Sequence, residues 1–306
     1  MDPAAAPRHT KRMSEEVYLH AGSPRTGTSS FQLFLEVNAE AIRAQGVDLN
    51  YPGRDAAKQG TLALRFPAPR HDAGAIEQRL IRARRNLGRV LRPDRPVILS
   101  EENICGRMLD FHKGLFFPTA PLRAGFLARA LAPRSVARIT LVLRPYSEIF
   151  VSGYRKRAED NLQAPFEEHA GKMAQFKGGW VEVISAMREG LKPAEIVLLD
   201  YRRRPQAELA GVVCPLLDTS ALVEPGREAN VSLNDAGLFA MQARLRAGET
   251  YTPDLLEEVR LAHAAETADA PFAAFTADAK ARLDARYAAD LDRLAAMAGV
   301  RYRRGE

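Results

Sequence analysis

The sequence predicts an α/β protein with three layers: a central parallel sheet covered by helices on both faces, ending in a helical C-terminal third. Three observations predict it. Short, almost continuously apolar runs recur (EVYLHAG from Glu16, RPVILS before Glu101, ARITLVL before Arg144, AEIVLLDY ending at Tyr201) and have the length of buried parallel strands. Segments with helical apolar spacing separate them, and strand–helix alternation is how a parallel sheet is built. The residues able to do chemistry gather where the apolar runs stop, and such sheets bind ligands beyond the carboxyl ends of their strands.

Taken in order, Glu16–Gly22 reads as the first strand. The helix after Gly27 carries Phe31, Phe34, Leu35, Ala41 and Ile42 on one stripe, with Gly46 as its stop. VDLNYPG is a brief strand and turn, and residues 54–72, with scattered Gly, Pro and Arg, read as a long loop. AIEQRLIRARRNLGRVL is a helix whose basic face reads as solvated rather than as a nucleic-acid stripe. RPVILSEENICG is a strand ending in two carboxylates, and a helix follows near Leu122–Leu131. ARITLVLRPYSEIFVSGYRKR is strand then helix, with Pro145 as the first helical residue. Residues 161–176 read as a loop, Trp180–Glu189 as a helix, AEIVLLDY as a strand, and a helix follows Pro205. From Ser232 onward the pattern is wholly helical: Asn234–Ala247, Pro253–Ala264 and Ala277–Ala298. One domain over 16–306 is expected. The polar, proline-containing start lacks the apolar middle of a signal peptide and reads as a disordered leader over 1–15, with Met13 a candidate start.

The 306 residues are 46% hydrophobic and 27% charged, which suits a soluble chain with a sizeable core. A net charge of +6 fits either a solvated basic surface or an anionic partner. The two cysteines form no C-x-x-C and the six histidines no H-x-x-x-H, so neither a disulfide framework nor a metal site is expected. No apolar run is long enough for a membrane span, and the cytoplasm is the expected address.

HAGSPRTGTSSFQ has the outline of a phosphate-cradling loop. Gly22 and Gly27 keep the spacing of G-x-x-x-x-G-K-[ST], but Thr28 stands where an ATP loop has lysine, and the only cation, Arg25, lies inside the loop. A loop between a buried strand and a helix offers an anion its N–H groups, its hydroxyls and the positive end of the helix dipole. The alternative is a glycine turn capped by Thr or Ser. In LRPYSEIFVSGY, Arg144 stands at a strand end with Ser152 eight residues on; a guanidinium fork and a hydroxyl suit a phosphate dianion, or serve as a structural arginine and a helix serine. In ILSEEN, Glu101 and Glu102 end a strand. One could take a proton from an attacking group, the pair could be solvated, or an acid there could hold magnesium in an ATPase. Strand alternation is expected to turn only one of them toward the site.

At these residues the chain resembles the sulfotransferases that use 3′-phosphoadenosine 5′-phosphosulfate (PAPS), in particular their bacterial members, which have a P-loop-like nucleotide-binding fold. The resemblance runs in order from about Val17 to Tyr302 and is patchy over 54–95 and 245–275, where acceptor specificity is expected to lie. It implies that Arg25, Thr26, Gly27, Thr28 and Ser29 hold the 5′-phosphosulfate, with Arg25 in a position often occupied by lysine. It further implies that Arg144 and Ser152 hold the 3′-phosphate, that Asn230 and Ser232 in REANVSLN border the nucleotide, and that Glu102, matching a Ser-x-Glu with Ser100, is the base rather than Glu101. FKGGWVEVISAMREGLKPAEIVLLDY resembles the family's tryptophan helix and following strand, and RYAADLDRLAAMAGVRY its closing helix. His20 matches the bacterial pattern, although its expected role is that of a buried histidine. The function implied is sulfuryl transfer from PAPS to a hydroxyl or amine of a carbohydrate, lipid or small molecule, leaving 3′-phosphoadenosine 5′-phosphate (PAP) and using no metal. Two other readings stay open: a P-loop small-molecule kinase or nucleotide hydrolase, and a non-catalytic nucleotide- or anion-binding protein.

Overall fold

The structure is a computed structural model and describes residues 15–54, 57–226 and 232–305. The expected leader, Met13 included, and Asn230 lie outside the described residues, apart from Glu15.

Six strands form one parallel sheet: β1 (Glu16–His20), β2 (Asp48–Asn50), β5 (Val97–Ser100), β6 (Ser135–Leu143), β7 (Glu195–Asp200) and β8 (Val300–Arg303), in the order β2-β5-β1-β6-β7-β8. β3 (Pro52–Arg54) and β4 (Ala57–Thr61) pair antiparallel beside it. Residue alternation divides the interior in two. Val17, Leu19, Leu99, Ile139, Leu141 and Leu198 belong to a core shared with α3 (Ala73–Val90), α4 (Ala120–Leu131), α5 (Tyr146–Asp160), α6 (Phe166–Ala174), α7 (Trp180–Leu191) and α11 (Ala277–Ala295). Tyr18, Ile98, Val142, Val197 and Leu199 belong to a second core with α1 (Thr28–Val37), α2 (Ala39–Ala44) and α8 (Gln206–Val213). Helices therefore cover both faces, as parallel strands buried on both sides require. A third, smaller core joins Ala158 of α5 to α9 (Asp235–Arg246) and α10 (Pro253–Ala262).

This winding fixes where a ligand can sit. The helix after β1 packs in the second core, whereas the helices after β6 pack in the first. β1 and β6 are neighbours in the sheet, so their connections part to opposite faces and open a crevice at their carboxyl ends.

Five expectations need correction. The helix expected to run from Gly27 to Gly46 is interrupted at Asn38, whose amide donates both to the Phe34 carbonyl of the helix (2.9 Å) and to the Val223 carbonyl (2.9 Å) and accepts from the Val223 N–H (2.8 Å). Pro145 is the cap residue rather than the first helical one: its ψ of 142° is extended. Part of the expected loop at 54–72 is β4, and part of that at 161–176 is α6, held by Phe166 and Met173 one heptad apart. The last third is not wholly helical, because Val300–Arg303 adds an edge strand along β7.

Candidate functional site

The loop leaving β1 is shaped by close packing. A Cβ on Gly22 would lie 2.2 Å from Thr28 Oγ1, so only glycine lets the helix start this close to the strand. Arg25 and Gly27 both take left-handed backbone angles (φ 67° and 90°), which costs energy at arginine and none at glycine. Thr26 and Thr28 are buried, and both hydroxyls donate to the Ser23 carbonyl, at 2.7 and 3.2 Å. Their hydrogens thus hold the loop together. The first N–H groups of α1 have no partner within the helix, and Gly27 has no side chain to cap them.

The Arg25 side chain does not stay with its loop. Its Nε donates to Ser152 Oγ at 2.9 Å and its Nη2 to Ser232 Oγ at 2.6 Å. Arg144 Nη1 donates to the Arg25 carbonyl at 2.9 Å. The expected separation into a loop cation and a strand-end pair is therefore not the grouping observed: Arg25, Arg144, Ser152 and Ser232 form one cluster at the β1–β6 crevice. Burial pulls the Arg25 pKa below the ordinary arginine value, and Glu159 acts in the opposite direction. The guanidinium keeps its charge, since it starts too high to lose it.

Each partner is itself fixed. The β6–β7 register sets Leu143 opposite Asp200, so the next residues, Arg144 and Tyr201, stand together; the Arg144 guanidinium lies 4.2 Å from the Tyr201 ring centroid. Trp180 Nε1 donates to the Arg144 carbonyl at 3.0 Å. Below it, Tyr146 donates to Asp290 at 2.6 Å and accepts from the Trp180 N–H at 2.7 Å, a buried chain that braces the end of β6. Ser232 is placed by Leu233, whose N–H donates to Glu159 and whose carbonyl accepts from Arg155, itself ion-paired with Asp235.

The two carboxylates part company, though not by strand alternation. The pleat ends at Ser100; Glu101 is extended and Glu102 opens a short 3-10 helix over Glu102–Ile104. Glu101 is 2% exposed, and its Oε1 accepts from the Asn103 N–H (2.9 Å), Asn103 Nδ2 (3.0 Å) and Arg54 Nη2 (3.2 Å). It is a cap. Glu102 Oε1 lies 3.0 Å from the same Arg54 nitrogen, yet Glu102 also lines the crevice cavity, and Glu101 does not. The expectation that the two face opposite ways is corrected to this extent: one arginine reaches both.

That cavity, about 630 Å³, is bordered by Arg25, Gly27, Thr28, Ser29, Glu102, Arg144 and Tyr201. A second, of about 500 Å³, shares Gly27, Ser30 and Tyr201 and adds Thr26 and Arg202–Arg204. His20 is buried as expected: its Nδ1 lies 2.9 Å from Ser100 Oγ, and burial pushes its pKa down to about 3. Among the described residues no group of three or more His, Cys, Asp or Glu could hold a metal, and no helix is long and apolar enough to cross a membrane. Sequence reasoning passed over Arg54 and Tyr201. Tyr201 directly follows the end of β7, so the rule that found Arg144 could have found it; Arg54 sits in a segment read as a loop. No family model matches the chain, and no curated protein matches it.

Proposed function

We propose that the chain is a sulfotransferase of P-loop-like fold that uses PAPS as donor. One observation carries this reading: Arg25 and Arg144, 119 residues apart, meet with the Ser152 and Ser232 hydroxyls in a single cluster, and both arginines border a cavity that Glu102 borders as well. That donor set suits a nucleotide with phosphates at two separate positions. Arg144 and Ser152 would take the 3′-phosphate, bidentate recognition by arginine being the strong form of such contacts. The loop N–H groups at the start of α1 would take the 5′-phosphosulfate. Arg25, which belongs to the loop by its backbone and to Ser152 by its side chain, would serve both.

In the reaction the acceptor oxygen or nitrogen forms a bond to sulfur while the bond from sulfur to the 5′-phosphate oxygen breaks. Glu102 accepts the acceptor's proton. The departing electron pair remains on the phosphate oxygen of PAP, where Arg25 and the loop N–H groups meet the growing charge. Glu101 holds the turn that presents Glu102, and Arg54 positions the Glu102 carboxylate. The absence of a loop lysine argues against ATP chemistry, in which that cation sits on the β- and γ-phosphates.

The test is a thermal shift with PAP against ATP plus magnesium. PAP at a hundredfold excess over its dissociation constant is expected to add about 2.7 kcal/mol of stability. Equal or greater protection by magnesium-ATP would replace this reading with that of a kinase or hydrolase.

A further inference from the structure

The donor reading leaves part of the crevice cavity unused. Besides Arg25 and Arg144, four cations border it: Arg54, Arg107, Lys156 and Arg157. Two are committed. Arg54 is paired with Glu101 and Glu102, and Lys156 lies 2.9 Å from Glu159 and 3.7 Å from Asp160. Arg107 and Arg157 differ, since among the described residues neither side chain has a carboxylate within 4.0 Å or a hydrogen bond. Arg157 Nε is moreover buried without a partner, as are Arg54 Nε in the same cavity wall and Arg123 Nε near Arg107.

A buried N–H of a cation left unpaired is costly, and an anion would relieve it. The neighbours do not supply one. His112, close enough to feel Arg157, is pushed down to about 4 by burial, then by His169 and Arg157, and so carries no charge at neutral pH. Arg107 has Arg123 near it, another cation. Placement adds to the argument. Arg107 lies five residues beyond Glu102, past the short helix that Glu102 opens, and Arg157 lies five beyond Ser152 on α5. Met108, Leu109 and Leu256 also border the cavity and give it apolar surface.

We propose that Arg107 and Arg157 form an oxyanion subsite for the acceptor, so that the molecule to be sulfated carries a carboxylate, sulfate or phosphate group near its attacking hydroxyl or amine. This rests on the donor reading above. The anion supplies the charge that this part of the cavity lacks, and the fork geometry of arginine fixes the acceptor's orientation toward Glu102. An acceptor without the anion leaves Arg157 unpaired and is rejected on that ground, as sites built around buried polar groups reject analogues that lack the partner.

The experiment needs no knowledge of the acceptor. The protein is first saturated with PAP, so that the nucleotide positions are filled. Sodium acetate, sulfate or phosphate is then titrated against sodium chloride of equal ionic strength, and the melting temperature is read. The proposal expects a further rise of a few degrees with at least one of the three anions over chloride, and the most effective anion identifies the acidic group. Arg107→Gln and Arg157→Gln, alone and together, are expected to abolish that rise and to bind PAP within about twofold of the parent. Arg107 is exposed, so its variant tests the idea even if the Arg157 variant folds poorly. No difference between the oxyanions and chloride, or a rise that persists in the Arg107 variant and in the double variant, would overturn the subsite. Failure of PAP itself to bind would instead overturn the donor reading.

Discussion

Two sets of arginines border hollows in this molecule, and they are built differently. At the crevice, Arg25 and Arg144 are each held in place, by Ser152 and Ser232 in one case and by the Arg25 carbonyl, Glu148 and the Tyr201 ring in the other. Along α3, its residues Arg79, Arg82, Arg85 and Arg89, with Arg65 of the segment before it, line a hollow of about 350 Å³. Of these only Arg79 has side-chain partners among the described residues, at 3.5 Å from the Arg65 carbonyl and 3.2 Å from His71. The α3 set has five arginines against two at the crevice, and fewer side-chain partners. An arginine fixed before a ligand arrives has already lost its rotamer entropy, whereas one that waves in solvent loses it on binding. Exposed charges are also screened by salt, and partly buried ones much less. Arginine count therefore says little about where the donor's phosphates bind; the fixed pair, Arg25 and Arg144, is the better candidate for those two groups.

The comparison is sharpened most by the carboxylate that only the crevice has. Glu102→Gln keeps shape and hydrogen bonding but removes the proposed base. With labelled PAPS and an acceptor, transfer is expected to fall about a hundred- to ten-thousandfold while PAP affinity stays unchanged. Glu101→Gln is the control. Its carboxylate is a buried cap, so the change should appear as a loss of roughly 1–3 kcal/mol in denaturant unfolding. If Glu101→Gln proved the catalytically crippled variant in a folded protein, the base assignment would fail.

The next effect separates the two crevice arginines. Arg144→Ala would remove the proposed contact to the 3′-phosphate, and a charge-assisted bond is worth about 1.5–3 kcal/mol, so PAP affinity should drop roughly ten- to a hundredfold with little change in the rate of bound substrate. Arg25→Ala touches both loop and Ser152, so both affinity and rate should fall. Identical kinetic signatures for the two variants would show that the cluster acts as one undivided unit.

A smaller effect concerns acid. His20 is buried and neutral, with its folded pKa of about 3 below the ordinary value of 6.5. Its contribution to stability is complete above pH 6.5 and is lost as pH falls toward 3, because only the unfolded chain gains the proton. The slope is at most about 1.4 kcal/mol per pH unit. Urea unfolding at pH 7 and pH 5.5 should show a larger drop for the parent than for His20→Gln. An equal drop in both would mean that His20 is not the acid-sensitive group.

The smallest effect is expected on α3. Reversing the charge of Arg82 and Arg85 to glutamate should leave PAP affinity at fixed ionic strength within about twofold, since these exposed side chains act on the crevice only through screened, long-range charge. A tenfold loss would remove the distinction between the two sets.

What the sequence made legible follows the same division. The strands β1, β5, β6 and β7 announce themselves because burial on both faces demands unbroken apolar runs, and their ends then point to Arg25, Glu102 and Arg144. β4 reads AKQGT and β8 reads VRYR; each lies at a margin where few side chains are buried, so the pattern that marks a core strand is missing. α6 hides because its two buried residues are a heptad apart among charged and small ones. The site is harder still. Alternation could not place Glu101 and Glu102, since the chain turns into a 3-10 helix at the next residue. Nor could spacing reveal that Arg25 crosses to Ser152 and Ser232, a contact set by the third core holding Leu233 against α5.

The central claim is that this fixed cluster recognises a phosphate on the 3′ position of a nucleotide. The most direct measurement is calorimetric titration with PAP and with adenosine 5′-phosphate, which differ only in that group. The account predicts that PAP binds at least a hundredfold more tightly, and that Arg144→Ala removes most of the difference. Equal affinity of the unaltered protein for the two nucleotides would contradict it.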